Sequence, residues 1–318
     1  MNLPKFIASS FAFCVLFASC VTQHKQMESK NENLKILLIS DLNDSYGSVG
    51  YSKEVHDVVK RVKDIQPDII LCGGDMVAGQ KASLTASRLD SMWMAFDTSV
   101  LTPINELGIS FGFTMGNHDA SPSYHLDRVA ASTFWKGNKH KANLTYVDDT
   151  HFPYYFSYIK NNVFFISWDA SSSVIPVEVK AWMKEQLSTS VANKSRARIL
   201  LGHLPLYAIV AAKNKNGEVL NDADETLAFL KENNVDMYIS GHQHAYYPAS
   251  KDQLTLLNAG CLGGGPREIL GHPVKATKAY AIIELPKQKS IEDVRITGFE
   301  PASHRHILLE SLPDSVRG

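Results

Sequence analysis

Five apolar runs of strand character end in residue types that can ligate metals, and this repeated pattern constrains the fold more than any other feature of the chain. Leu34–Ser40 runs into Asp41-Leu42-Asn43, Asp68–Cys72 into Gly73-Gly74-Asp75, and Ser110–Met115 into Gly116-Asn117-His118-Asp119. Further on, Arg198–Leu201 runs into Gly202-His203, and Met237–Ser240 into Gly241-His242-Gln243-His244. Ligand sites of open α/β sheets gather beyond the carboxyl ends of the strands, so five such ends can converge on one crevice. In four of the five a glycine directly precedes the polar residue, where it permits a sharp backbone turn.

The segments between these runs carry helical spacing. Lys53–Ile65 places Val55, Val58, Val59 and Val62 on one face and is stopped by Pro67. Ser83–Leu107 is helical with an interruption near Pro103, and Val177–Leu187 and Asp222–Glu232 are further helices. The stretch from Ala120 to His151 reads as irregular, whereas Phe152–Tyr158 and Val163–Trp168 form a hairpin around Lys160-Asn161-Asn162. Leu254–Leu257, Ala279–Glu284 and Asp293–Gly298 read as strands. Alternating strands and helices followed by a strand-rich tail predict α/β layers, with sheets packed together and helices outside.

Taken singly, each strand end says little. A Gly-Asp after a strand is usually a turn, and a lone Gly-His is more often a satisfied histidine than a ligand. His242 and His244 say more, because residues i and i+2 of an extended segment face one side, about 6.6 Å apart. Such a pair can serve two metals about 3.5–4 Å apart. The order of all five blocks resembles that of the calcineurin-like metallophosphoesterases, whose pattern is D-x-H, G-D, G-N-H-[DE], a later His and G-H-x-H. The resemblance spans Leu34 to Leu285 and implies a four-layer α/β/β/α sandwich of two packed β-sheets flanked by helices, with the metal site at the carboxyl ends of strands. It also implies hydrolysis of a small-molecule phosphate ester, mono- or diester, with two divalent ions of the Mn, Fe or Zn kind. By the same resemblance Asp41 and His244 hold the first metal, Asn117, His203 and His242 the second, and Asp75 bridges both. His118 stands as general acid rather than ligand, with Asp119 beside it in the catalytic set.

Two positions depart from the pattern. Asn43 replaces the usual histidine, and its neutral amide oxygen is a weaker donor for soft divalent ions. Ala78 stands where some relatives place an aspartate that orients the acid histidine, so another group must orient His118.

Two bridged ions acidify a shared water and neutralise phosphoryl oxygens, and a histidine can protonate the leaving alkoxide. A reading from another class stays open: a non-catalytic metal-binding scaffold or interaction protein on the same fold. The presence of His118 and of every second-metal ligand argues against it. His125, Trp135, His140 and His151 are candidates for substrate contact, weighed against ordinary surface and packing roles. Asp169 is a candidate at the mouth, with turn or helix capping as the competing role.

Composition bounds the remaining classes. A net charge of −1 without a Lys/Arg run leaves no electrostatic footprint for nucleic acid. Four cysteines are too few for a disulfide framework in 318 residues, and Cys72 and Cys261 lie in apolar contexts that suit buried thiols. Lys5 followed by the apolar run Phe6–Phe17 has the form of a secretory signal. Leu16-Phe17-Ala18-Ser19-Cys20 resembles the lipobox of bacterial lipoproteins, which implies a lipidated Cys20. The alternative is a plain cleaved signal. The expected organisation is a signal over 1–19, a polar tether over 20–33, the metallophosphoesterase domain over 34–285, and a C-terminal strand and tail over 286–318. Such a protein would be exported by a bacterium and anchored to a membrane by its lipid alone, facing the periplasm or the exterior.

Overall fold

The computed structural model describes residues 33–271, 275–287 and 293–313. The expected signal, Cys20 and all of the tether but residue 33 lie outside the described residues.

Two mixed sheets form the centre. The first contains β1 (Leu34–Ile39), β2 (Ile69–Cys72), β3 (Ser110–Phe113), β11 (Tyr280–Leu285), β12 (Arg295–Phe299) and β13 (His306–Ile307), in the order β13-β12-β11-β1-β2-β3. The second contains β4 (Thr145–His151), β5 (Tyr155–Lys160), β6 (Val163–Ser167), β7 (Ala197–Leu201), β8 (Met237–Ser240), β9 (Tyr246–Lys251) and β10 (Leu254–Ala259), in the order β4-β5-β6-β7-β8-β10-β9. Within them β1, β2 and β3 are parallel, as are β6, β7, β8 and β10. Every strand expected to end in a ligand block belongs to one of these parallel sets, so the five ends point the same way within each sheet.

Apolar alternation explains the layering. In β6, Val163 and Phe165 join the core shared by the two sheets, with Phe156, Ile199 and Ile239 from neighbouring strands and Ile36, Leu38 and Phe113 from the other sheet. Phe164 and Ile166 point the opposite way, against Met183 and Leu187 of α6 (Val177–Ser188) and Leu230 of α8 (Ala223–Glu232). Both faces of the strand are buried, and its continuous apolar run follows from that.

The helices follow their local signals. In α1 (Lys53–Ile65), Val55, Val58 and Val62 are buried; Ser52 caps the start by accepting from the Val55 amide, and Gln66 ends it in a left-handed conformation before Pro67. The stretch over Ser83–Leu107 resolves into α2 (Ala86–Phe96), a π-helical turn over Asp97–Leu101 and α3 (Thr102–Glu106). Pro103 sits at the start of α3, directly after the π-helical turn that interrupts the α-helical ladder. The Asn161-Asn162 turn joins β5 to β6 with both residues at positive φ, as a two-residue hairpin requires.

One expectation fails. The stretch read as irregular begins at the last residue of α4 (Asn117–Ala120) and contains α5 (His125–Asn138) and the edge strand β4. Ala130, Ala131, Phe134 and Trp135 line one buried face of α5, and Trp135 stacks on Phe113 at 3.8 Å between ring centroids. Aromatic and histidine content masked a helical period. Trp135 is therefore core, and His125, His140 and His151 are exposed. Among the described residues no helix is long and apolar enough to cross a membrane, and Cys72 and Cys261 are buried free thiols as expected.

Candidate metal centre

The turns after β1, β2, β3, β7 and β8 meet in one place. Asp41, Asp75, His203, His242 and His244 are buried there, and the ligand atoms of Asp41, Asp75 and His203 lie within 4.8 Å of one another. Asp41, Asp75, His242 and His244 have φ of 50°, 55°, 66° and 54°, a region that L side chains adopt at a cost. Neighbouring turns hold them there. The Asp41 amide donates to Gly74 O and the Leu42 amide to Asp75 O, while the His242 amide donates to both Asp41 carboxylate oxygens at 3.1 Å. Gly116 is required by approach: a Cβ there would lie 2.1 Å from Asp75 Oδ1.

Around Asp75 the donors form two groups. On one side Asn117 Oδ1 lies 2.9 Å from His203 Nε2 and 2.8 Å from His242 Nδ1, and His203 Nε2 lies 3.3 Å from Asp75 Oδ2. On the other, His244 Nε2 lies 3.2 Å from Asp41 Oδ1. Asn43 is buried beside them, and among the described residues its side-chain amide makes no hydrogen bond. Carboxylate, imidazole and amide donors converging at these spacings fit divalent metal ions.

The electrostatics suit cations. Burial would raise the Asp75 carboxyl, but the adjacent His203 and His118 hold it far below the usual carboxylate range. Asp41 is likewise lowered, against burial, by His244. Burial lowers His242 to about 4, which favours the neutral imidazole a metal needs. His203 goes up to about 9: burial opposes this, and the Asp75 charge outweighs it.

His118 is held differently. Its amide donates to Asp75 Oδ1 at 2.9 Å, its Nδ1 lies 3.3 Å from Gly79 O, and its Nε2 is 3.9 Å from Asp75 Oδ2. Gly79 O thus does the orienting that an aspartate at position 78 would do. A Cβ on Gly79 would lie 2.4 Å from His118 O, so only glycine allows that approach. Tyr46, 56% exposed, packs over the His118 ring at 5.2 Å between centroids.

Asp119 corrects an expectation. It is fully buried, and its two oxygens accept from the Val77 and Gly116 amides at 2.9 Å each. It ties the turn after β2 to the turn after β3 and does not face the crevice; burial and the Asp75 charge push it up to about 7. Asp169 pairs with Arg128 at 2.8 Å and accepts from Ser171 at 2.6 Å, which braces α5 against the end of β6.

Several residues at the centre carry no motif. Gln80 Oε1 accepts from Asn117 Nδ2 at 2.7 Å, which turns Asn117 Oδ1 toward the two histidines. Glu218 Oε2 lies 2.7 Å from His242 Nε2, with Lys213 Nζ 3.4 Å from the same oxygen. The hydrogen bond from His242 lowers Glu218 to about 2, while burial lowers Lys213. Asn117, His118, His242, Lys213, Glu218 and Arg267 share the lining of a cleft of about 500 Å³.

The family model described as calcineurin-like phosphoesterase matches residues 34–246. No curated protein matches. Among solved structures, the chain is similar to a purple acid phosphatase, PPD1, from yellow lupin (Lupinus luteus) seeds, at TM-score 0.65 and 12% identity, over 88% of this chain and 53% of that one. The chain thus spans about half the length of the lupin protein. It is also similar to GAP50, the anchor in the inner membrane complex of Plasmodium, at TM-score 0.55 and 16% identity over 87% of both chains. A structure of PhoD matches at TM-score 0.55 and 9% identity, over 87% of this chain and 72% of that one. At these identities the likeness is one of fold.

Proposed function

The chain belongs to the calcineurin-like phosphoesterase family, and from that premise we propose that it hydrolyses a phosphate ester with two divalent metals and His118 as general acid. The observation that carries this is Asp75, one buried carboxylate placed between two groups of donors while His118 approaches the same carboxylate from the open cleft. Asp41, Asn43, Asp75 and His244 would hold one ion, and Asn117, His203, His242 and the shared Asp75 the other. When bound, such ions supply Lewis acidity toward phosphoryl oxygens and toward water.

The chain's own residues do the rest. Gly79 O accepts a hydrogen bond from the Nδ1–H of His118, so the imidazolium form presents its second proton at Nε2, on the Asp75 side. A leaving alkoxide seated near Nε2 takes that proton as its bond to phosphorus breaks. Tyr46 beside the ring narrows water access to it.

Purified protein with added Mn²⁺ should turn over 4-nitrophenyl phosphate or bis(4-nitrophenyl) phosphate and lose that activity to a chelator. Full metal content with no turnover of either ester would instead leave a metal-binding scaffold. Export with lipidation at Cys20 belongs to the same proposal, on the signal-like composition of residues 1–19. Cys20→Ser should release the protein from the membrane fraction or leave it unprocessed; unchanged size and fractionation would refute it.

A further inference from the structure

The cleft beside the metal centre is basic in a way that one phosphoryl group does not use up. Lys213, Lys215 and Arg267 line it against a single carboxylate, Glu218. Glu218 is committed to His242 and Lys213, which leaves Lys215 and Arg267. Among the described residues neither makes a side-chain hydrogen bond or ion pair, and Arg267 Nε is buried without an acceptor. Yet Arg267 is well placed. Its amide donates to His244 O at 3.4 Å and its carbonyl accepts from the Ala276 amide at 2.8 Å, so its backbone is fixed to the turn that carries His244.

A half-buried guanidinium without an acceptor is unfavourable unless a ligand supplies one, and beside bound cations it is more so. Its planar fork suits a phosphoryl or carboxylate group held by two parallel bonds. A neutral or apolar leaving group would gain nothing from it. Resting on the phosphoesterase reading above, we propose that Arg267 and Lys215 form an anion subsite beside the metal centre. The substrate is then a small phosphate ester that carries a second anionic group, phosphoryl or carboxylate.

The test uses three non-hydrolysable ligands of three carbons each on Mn²⁺-loaded full-length protein: propylphosphonate, 3-phosphonopropionate and 1,3-propanediphosphonate. Calorimetry should show one or both dianionic-end ligands binding about tenfold tighter than propylphosphonate, as a charge-assisted pair provides. Which of the two gains tells carboxylate from phosphoryl. In Arg267→Gln/Lys215→Gln the advantage should shrink to about threefold or less, with metal content unchanged by elemental analysis. Lys215→Glu, at an exposed position, should reduce it in a protein whose fold is not in question. An advantage that is absent in the parent, or that survives these substitutions, overturns the subsite. Propylphosphonate that fails to bind the metal-loaded parent overturns the phosphoesterase reading along with it.

Discussion

The two sides of Asp75 are built to different standards. On the Asn117 side every donor has a partner behind it: Gln80 behind Asn117, Gly73 O at 2.8 Å from His203 Nδ1, and Glu218 behind His242. On the Asp41 side, Ser40 donates to Asp41 Oδ2 at 2.6 Å and His244 Nδ1 lies 3.2 Å from Gly265 O, but among the described residues no hydrogen bond holds the Asn43 side-chain amide. Outer partners fix the orientation of ligands and raise their basicity. The braced side should therefore hold its ion more tightly, and the metal on the Asn43 side should be the one whose filling limits activity.

The harshest way to break this comparison is to remove what the two sides share. Asp75→Asn should abolish bridging and reduce turnover by about a thousandfold or more, by analogy with the loss of a principal electrostatic stabiliser. Near-native turnover with two ions bound would end the two-sided description. His118→Ala should leave metal content intact while slowing alkyl esters about 10²–10⁴-fold and aryl esters far less. Equal losses on both ester types would remove His118 from the acid role.

Glu218→Gln sharpens the contrast between the sides. It keeps the shape but weakens the hydrogen bond to His242 Nε2, so the braced ion should bind about 10–100-fold more weakly. Calorimetric metal titration reads this directly, and an unchanged tight site would show that Glu218 does not position His242. The smallest change is expected at Asn43. Asn43→His should tighten the weaker site through a nitrogen donor, about tenfold in affinity, without a matching rise in turnover. If Asn43→Ala titrates with metal as the parent does, Asn43 is no ligand and Asp41, Asp75 and His244 alone account for that site.

How much of this was legible depended on the range of the physics. The strand ends could be read because a ligand block needs particular residue types after an apolar run, and a tight turn needs glycine. All of that is local. The helix α5 is hidden in the sequence because its buried face mixes alanine with Phe134 and Trp135 amid histidines and lysines, and its apolar period is faint until Trp135 packs against Phe113. Asp119 shares a motif with its neighbour His118, but adjacent residues on a turn point in different directions and its own carboxylate turns inward.

The sequence by itself determined the alternation of strands and helices and the set of candidate donors, which rest on residue type and spacing within short segments; the order of the donor blocks pointed to the family, and that resemblance implied the two-sheet architecture. Only the tertiary structure decided which groups stand behind those donors. Gln80 is 37 residues from Asn117 and Glu218 is 24 from His242, in loops without periodicity, and Arg267 carries no motif at all. The left-handed backbone of Asp41, Asp75, His242 and His244 belongs to the same class of fact. Such conformations persist only where hydrogen bonds from other strand ends outweigh their local cost, and that balance exists only once the sheets have packed.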